Sequence, residues 1–184
     1  MARKTITELY TQATADFADN TTGAITPTKL RQFCLDFLDT VRPSYGAINL
    51  IGPLSTTMTT VDAGFVWSTV LAAQAPDYSA SLASGTITRA NGPASARFEF
   101  SMDFQAPNNS VTYFTMYVDN VATQWVTGGT SNGAAEWQSV SMSGVNYSAN
   151  LSVSYQIRAK NTAGGNIILQ NGILVVENVP VNVN

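Results

Sequence analysis

The chain has 184 residues, no histidine and one cysteine, and 11% of its residues are charged, less than half of the roughly 25% usual in soluble domains. Without histidine it holds no Ser-His or Cys-His pair and no His metal ligand, and one cysteine excludes an internal disulfide. The net charge of −3, without a basic patch, argues against nucleic acid and anionic membranes as partners.

The charged residues are concentrated near the N-terminus. Residues 1–42 carry ten of the twenty-one charges, and the other 142 residues share eleven. We therefore place a domain boundary between Arg42 and Pro43, with an N-terminal arm and helix at 1–42 and a β body at 43–184. No apolar run is long enough to span a membrane, and the first residues lack the apolar core of a secretory signal, so we expect synthesis in a cytoplasm and no membrane insertion.

Residues 1–19 leave two local structures open. Leu9, Tyr10 and Phe17 fit a helical stripe together with Ile6 and Ala13, but four threonines in the same stretch are poor helix formers. A short helix is compatible with this pattern, and so is a short strand or an extended arm.

The next segment predicts an α-helix. Thr26 is a suitable N-cap, Pro27 suits the first helical position, and Pro43 ends the segment. Apolar side chains then recur at i, i+3, i+4 and i+7 on one arc: Leu30, Phe33, Cys34, Phe37 and Val41. A helix of about four turns is not stable alone, so this arc should be buried against another surface, with Cys34 as a small buried hydrophobe rather than a reactive thiol.

After Pro43 the apolar residues recur at every second position, the period of β-strands. ARFEFSMDFQ (96–105) and LSVSYQIRAK (151–160) alternate cleanly, which predicts strands with one face on a core and one face in solvent. Between them, Asp119-Asn120 suits a two-residue hairpin turn. Further strands are predicted within residues 45–51, 56–70, 86–89, 137–142, 167–170 and 173–179, the last two as a pair around Asn171-Gly172, and a loop at 74–84. About eight to ten strands without a second helix predict a mainly β, antiparallel jelly-roll sandwich with a short N-terminal helix.

Four segments of the body follow one another in a recognisable order: ARFEFSMDF, VTYFTMYVDN, NYSANLSVSYQIRAK and ILVVENV. This order resembles the trimeric jelly-roll domains of the tumour-necrosis-factor and complement-head type. Separately, DNTTGAITPTKLRQFCLDFLDTV resembles a module common near the N-termini of tailed-bacteriophage structural proteins. The resemblances imply a homotrimeric virion appendage, such as a head fibre, capsid decoration protein or small tail fibre, attached to other virion proteins through residues 1–42.

The carboxylates give no catalytic motif. Asp36 and Asp39 fall on the polar side of the predicted helix and are expected to be solvated. Glu99 and Asp103 lie about 13 Å apart along one strand, too far to share a proton. We therefore expect no enzyme activity, no cofactor and no resident metal, with a Ca²⁺ site built from loop carbonyls as a minor alternative.

Two tryptophans bracket a polar loop. Trp125 and Trp137 flank residues 127–136, which include Asn132, and such an arrangement is typical of a ring that stacks on a sugar while an amide binds its hydroxyls. Alternatively these tryptophans and Trp67 fill the sandwich or a subunit interface. The sequence thus predicts a structural protein, with a tail-fibre module that binds a receptor or cell-surface glycan as the alternative and a carboxylate enzyme as a third reading.

Overall fold

The chain falls into two compact units, Met1–Pro43 and Ser44–Asn184. The first unit contains the helices and the second contains the strands. A computed structural model describes the following residues: 6–17, 25–41, 44–73, 77–90, 94–131, 136–150 and 152–179.

The first unit is a pair of helices, α1 (Ile6–Asp16) and α2 (Pro27–Val41). Thr26 caps α2 as predicted, because its Oγ1 accepts a hydrogen bond from the Lys29 backbone N–H at 3.3 Å. α1 is a second helix, in the stretch where the threonines made the local structure ambiguous. Thr14 fits inside it because its hydroxyl donates to the Tyr10 carbonyl oxygen, at 2.9 Å, within the same helix.

α1 and α2 pack through one side of α2. The rings of Phe17 and Phe33 meet edge to face with centroids 5.0 Å apart, and Lys29 Nζ lies 3.7 Å from Asp16 Oδ1. Leu9 of α1 is 6% exposed. The two helices therefore bury a small apolar contact flanked by an ion pair.

The second unit consists of strands, twelve of them in the described ranges. They are β1 (Tyr45–Leu50), β2 (Leu54–Met58), β3 (Ala63–Gly64), β4 (Thr69–Ala73), β5 (Tyr78–Ser81), β6 (Thr86–Arg89), β7 (Ala94–Gln105), β8 (Ser110–Val118), β9 (Val121–Ser131), β10 (Gln138–Ser148), β11 (Val153–Asn161) and β12 (Gly165–Val179). Sheet A has the order β10-β7-β12-β1-β4, with β2 also paired to β12. Sheet B has the order β5-β6-β11-β8-β9, with β3 also paired to β11.

Neighbouring strands in both sheets are antiparallel. The protein is therefore mainly β, and its body is an antiparallel jelly-roll sandwich, which confirms the predicted fold class. Polar residues alternate with the buried apolar ones along β7 and β11, as expected for sheets with one face in solvent.

The core lies between the two sheets and is built from the alternating segments that the sequence singled out. Phe98 and Phe104 of β7 are 0% exposed, as are Tyr155 and Ile157 of β11. Phe114 of β8 links the sheets, because its ring centroid lies 5.6 Å from that of Phe100 and 5.5 Å from that of Phe104. Both alternating segments are thus confirmed as strands with a buried apolar face.

One predicted turn is confirmed and another is wrong. Asp119 and Asn120 have φ values of 50° and 63°, the backbone of a two-residue hairpin turn between β8 and β9. Asn171 also has a positive φ, of 50°, yet no hairpin forms there. β12 runs through this point with a register shift, because the segments on both sides pair with β7.

Other boundaries also differ from the predictions. Residues 56–70 contribute to β2, β3 and β4 instead of one or two strands, and the expected loop at 74–84 contains β5. β10 continues to Ser148, six residues beyond the predicted end at Met142. These are short or polar segments, whose pairing depends on distant strands more than on their own composition.

Candidate functional site

The apolar arc of α2 is only partly covered. Leu30, Phe37 and Leu38 are 50%, 47% and 59% exposed, and Cys34 between them is exposed as well. We call these four residues the α2 stripe. The expected burial of Cys34 is therefore wrong for the single chain. Of the other predicted anchor residues, Phe33 is half-buried, and the side chain of Val41 lies outside the described residues.

The side of α2 that meets α1 lies next to the stripe. Phe33 and Lys29 contact α1, and Asp36, on the same side, is 6% exposed and accepts a hydrogen bond from Gln32 Nε2 at 2.8 Å. The expected solvation of Asp36 is therefore wrong. With 3.6 residues per turn, positions 29, 33 and 36 form one line and positions 30, 34 and 37 the next, so α1 covers one line and leaves the other open.

The tryptophans do not form one exposed group. The Trp125 ring packs against Phe98 with centroids 5.0 Å apart, and it sits over Gly144, where a Cβ would lie 2.6 Å from the indole Nε1. Trp67 is 2% exposed and stacks on Phe65. Trp137, just before β10, is 42% exposed.

Of the two tryptophans that flank the loop predicted to bind a sugar, only Trp137 thus exposes its ring. Asn132 lies outside the described residues. Trp125 serves as a packing residue at the edge of the sandwich, which is the alternative that the sequence analysis left open. Gly144 was not singled out from the sequence, because the ring that needs its missing side chain comes from a different sheet.

A shallow depression of about 520 Å³ lies on the outer face of sheet A. Its rim carries hydroxyls and one carboxylate, and its floor is apolar. It is lined by Glu99, Phe100, Ser101, Ser141, Met142, Ser143, Ile173 and Val175. The sequence could not indicate it, since β7, β10 and β12 are brought together only by sheet order.

Charged groups beside this depression are paired with partners on the same face. Arg97 contacts Glu99 at 2.9 Å and Glu177 at 2.8 Å. Asp103 accepts hydrogen bonds from Ser139 Oγ at 2.5 Å and from Asn171 Nδ2 at 2.9 Å. The bonds from Ser139 and then Asn171 lower the pKa of the Asp103 carboxyl because they stabilise its ionised form.

Metal ligands are not grouped in the part of the chain that the structure describes. There, no three His, Cys, Asp or Glu side chains come together as a metal site would require. In the same residues, no helix is both long and apolar enough to cross a membrane.

Comparisons with known proteins identify the fold. No protein-family model matches the sequence, and no curated protein matches it. The crystal structure of murine APRIL at pH 5.0 is similar, with a TM-score of 0.54 and 8% identity over 75% of this chain and 100% of that chain. The Eiger TNF of S. frugiperda gives a TM-score of 0.52 and 10% identity over 75% of this chain and 94% of that chain.

A third solved structure is less similar to this chain. The globular domain of zebrafish complement 1qA protein gives a TM-score of 0.48 and 11% identity over 77% of this chain, too low to show a shared fold by itself. The first two similarities, at these identities, concern the fold alone. The body of this chain has the jelly-roll fold of the tumour-necrosis-factor type.

Proposed function

We propose that the chain is a non-enzymatic structural protein of a bacteriophage virion. In this proposal it is a homotrimeric fibre or capsid decoration protein that displays the β body and docks onto other virion proteins through its N-terminal helices. The observation that carries the docking role is the α2 stripe, which presents Leu30, Phe37 and Leu38 to solvent at about half of their full exposure.

Burial of these side chains would stabilise a complex. Complete burial of a Leu or Phe side chain is worth about 1.5–3 kcal/mol, so covering the exposed half of each contributes on the order of 1 kcal/mol. Three such contributions, with Cys34 at the centre, give a continuous apolar contact on one helix face. A helix that lays such a face into an apolar groove is a common mode of protein docking.

The phage assignment rests on the resemblance of residues 19–41 to the N-terminal module of tailed-bacteriophage structural proteins. The composition of the body is compatible with a displayed virion surface. Residues 44–184 contain four Lys or Arg in 141 residues, so trypsin-like proteases find few cleavage sites.

Trimer formation is supported by the outer face of sheet A. Its small hydroxyl side chains surround Ile173 and Val175, and Arg97 on this face is neutralised by two carboxylates. At one edge of the sheet, Val145 and Tyr147 of β10 are 53% and 64% exposed. Apolar side chains at the centre and at one edge of this face suit closure against further copies of the chain.

A sugar-binding loop built on Trp125 and Trp137 is the less favoured function. Trp125 packs on Phe98 and is therefore not available as a stacking platform. Trp137 alone presents a large exposed ring.

The docking role is tested by changing the stripe. Leu30→Ser with Phe37→Ser should leave the body folded and its mass by light scattering at micromolar concentration equal to three chains, while association with the virion is lost. Leu35→Ser is the matched control, because Leu35 is 43% exposed on α2 but lies outside the stripe. Retention of the double variant on particles would refute docking through the stripe, and a monomeric mass for the unchanged protein would refute the trimer.

A further inference from the structure

A cluster of tyrosines and cations lies on the outer face of sheet B, whereas the depression lies on sheet A. Lys160 of β11 pairs with Tyr113 of β8, and Arg158 pairs with Thr115, two residues before Tyr117. Arg158 Cζ lies 4.2 Å from the ring centroid of Tyr117, and Lys160 Nζ lies 5.7 Å from that of Tyr113. Each cation is thus placed at the face of an aromatic ring.

Both cations have hydrogen-bond donors to spare. Arg158 uses Nε for Gln156 Oε1 at 2.7 Å and Nη2 for Asn120 Oδ1 at 2.6 Å, which leaves three of the five guanidinium N–H groups. Lys160 Nζ makes no hydrogen bond to any described residue, and the carboxylate oxygen it approaches, Asp62 Oδ2, is 3.8 Å away. The Lys160 side chain is 38% exposed. These donors are available to a ligand that accepts hydrogen bonds.

The pair also stands out in charge. Residues 44–184 contain seven acidic and four basic side chains. Of the four basic ones, Arg89 is 1% exposed and Arg97 is held by Glu99 and Glu177. Arg158 and Lys160 are the two other surface cations of this acidic body, and same-face neighbours on a strand lie about 7 Å apart. Lys160 forms a long ion pair with Asp62, at 3.8 Å, whereas the hydrogen bonds of Arg158 go to neutral amides.

Asp62 fixes the aromatic part of the cluster. Its Oδ2 accepts the hydroxyl hydrogen of Tyr117 at 2.9 Å. Burial, and then this carboxylate, raise the pKa of Tyr117 above its ordinary value. A phenol with an unshifted pKa of about 10 is already neutral near pH 7, so the ring adds no negative charge to the face. The neutral ring can therefore lie against the C–H face of a ligand beside the two cations.

We propose that this face binds an acidic saccharide. Arg158 and Lys160 would hold a carboxylate or sulfate group placed between them, since a guanidinium and an ammonium both form strong hydrogen bonds to such oxygens. Tyr113 and Tyr117 would contact the C–H face of a sugar ring, and the exposed amide of Asn120 lies beside Arg158 to meet a hydroxyl. The proposal is independent of the virion assignment and of the stripe.

The test is calorimetric titration of the full chain with three probes: a hexagalacturonate, the neutral maltohexaose and inorganic sulfate. The hexagalacturonate is expected to bind, and its affinity should fall at least about tenfold in the double variant Arg158→Gln, Lys160→Gln, because both charge-assisted contacts are lost. It should also fall as salt rises from about 0.05 M to about 0.5 M. Tyr113→Leu should weaken binding by a smaller factor.

The matched control is Arg97→Gln, which removes a cation from sheet A and should leave affinity unchanged. Circular dichroism shows whether the double variant folds. If it does not, the single variant Lys160→Met replaces it, because this change keeps both hydrogen bonds of Arg158, and it should also bind the hexagalacturonate more weakly. Four results would overturn the proposal: no binding of the hexagalacturonate, equal binding of maltohexaose, sulfate affinity equal to that of the oligosaccharide, or the same loss with Arg97→Gln.

Discussion

The helical unit and the β body use similar apolar patterns with opposite results. In the body, Phe98, Phe104 and Ile157 alternate with polar residues and are all 0% exposed, because a second sheet of the same chain covers them. In α2, the apolar arc is equally regular, yet Leu30 and Phe37 remain about half exposed. Hydrophobic periodicity therefore predicts that a face will be buried, but it does not predict which surface covers that face.

The largest expected effect is on the free energy of unfolding of the β body. Phe98→Ala should destabilise the body by about 3–5 kcal/mol, because it opens a cavity between the sheets. Phe37→Ala should change the stability of the same chain by less than about 0.5 kcal/mol, as usual for a surface position. Denaturant unfolding measures both, with tryptophan fluorescence for the body, which holds all three tryptophans, and far-ultraviolet circular dichroism for the helical unit. Similar losses for the two variants would mean that the chain itself already buries the stripe.

Features that depend on neighbouring residues were predicted correctly, and features that depend on distant residues were not. The alternation in β7 and β11, the cap at Thr26 and the turn at Asp119-Asn120 could be predicted because each depends on residues within a few positions. The packing of Trp125 over Gly144 could not be predicted, because the two residues lie on strands of different sheets.

The errors have a common physical cause. The pair Asn171-Gly172 is compatible with both a hairpin turn and a β-bulge. A bulge forms because the segments on both sides of this pair are hydrogen-bonded to β7. Cys34 and Asp36, two positions apart, lie on nearly opposite sides of α2, and the orientation of α1 decides which side is covered. Local pattern thus fixes the elements, whereas the choice between packing arrangements depends on distant parts of the chain.

A medium effect is expected where the two sheets meet at one edge of the body. Gly144→Val would place a Cβ 2.6 Å from Trp125 Nε1 and 2.7 Å from Phe98 Cε1, and such overpacking costs about 1–3 kcal/mol. We expect a lower melting temperature and a red-shifted tryptophan emission. Gly52→Ala is the matched control, because a Cβ there meets no atom within 4 Å. Equal melting of both variants would show that Trp125 does not pack at this site.

A smaller effect should be confined to the helical unit. Thr26→Ala removes the side-chain acceptor of the Lys29 amide and should destabilise the start of α2 by about 1 kcal/mol. Hydrogen exchange should accelerate at the Lys29 amide, while the amides of the body keep their rates. Thr28→Ala, inside the helix and exposed, should not accelerate exchange there. If the body amides accelerated too, the two units would not be independent.

The smallest expected effect concerns pH. Because the folded-state pKa of Asp103 is lowered, its contribution to stability is present above the unfolded pKa of about 3.9 and is lost as pH falls through the folded value. Asp103→Asn should therefore flatten the loss of stability at acidic pH slightly. Glu136→Gln, at an exposed carboxylate, is the control. Acid unfolding curves measure this difference. Identical curves for the unchanged protein and Asp103→Asn would contradict a lowered pKa for Asp103.

The most direct test of an external role for the α2 stripe is the reaction of Cys34 with a neutral maleimide. Cys34 is the only cysteine of the chain and lies within the stripe, so its labelling rate reports on that surface alone. We predict that the purified protein is labelled at nearly the rate of the unfolded chain, and that the virion-bound protein is labelled at least about tenfold more slowly. Strong protection in the purified protein, without further protection on the particle, would contradict the account.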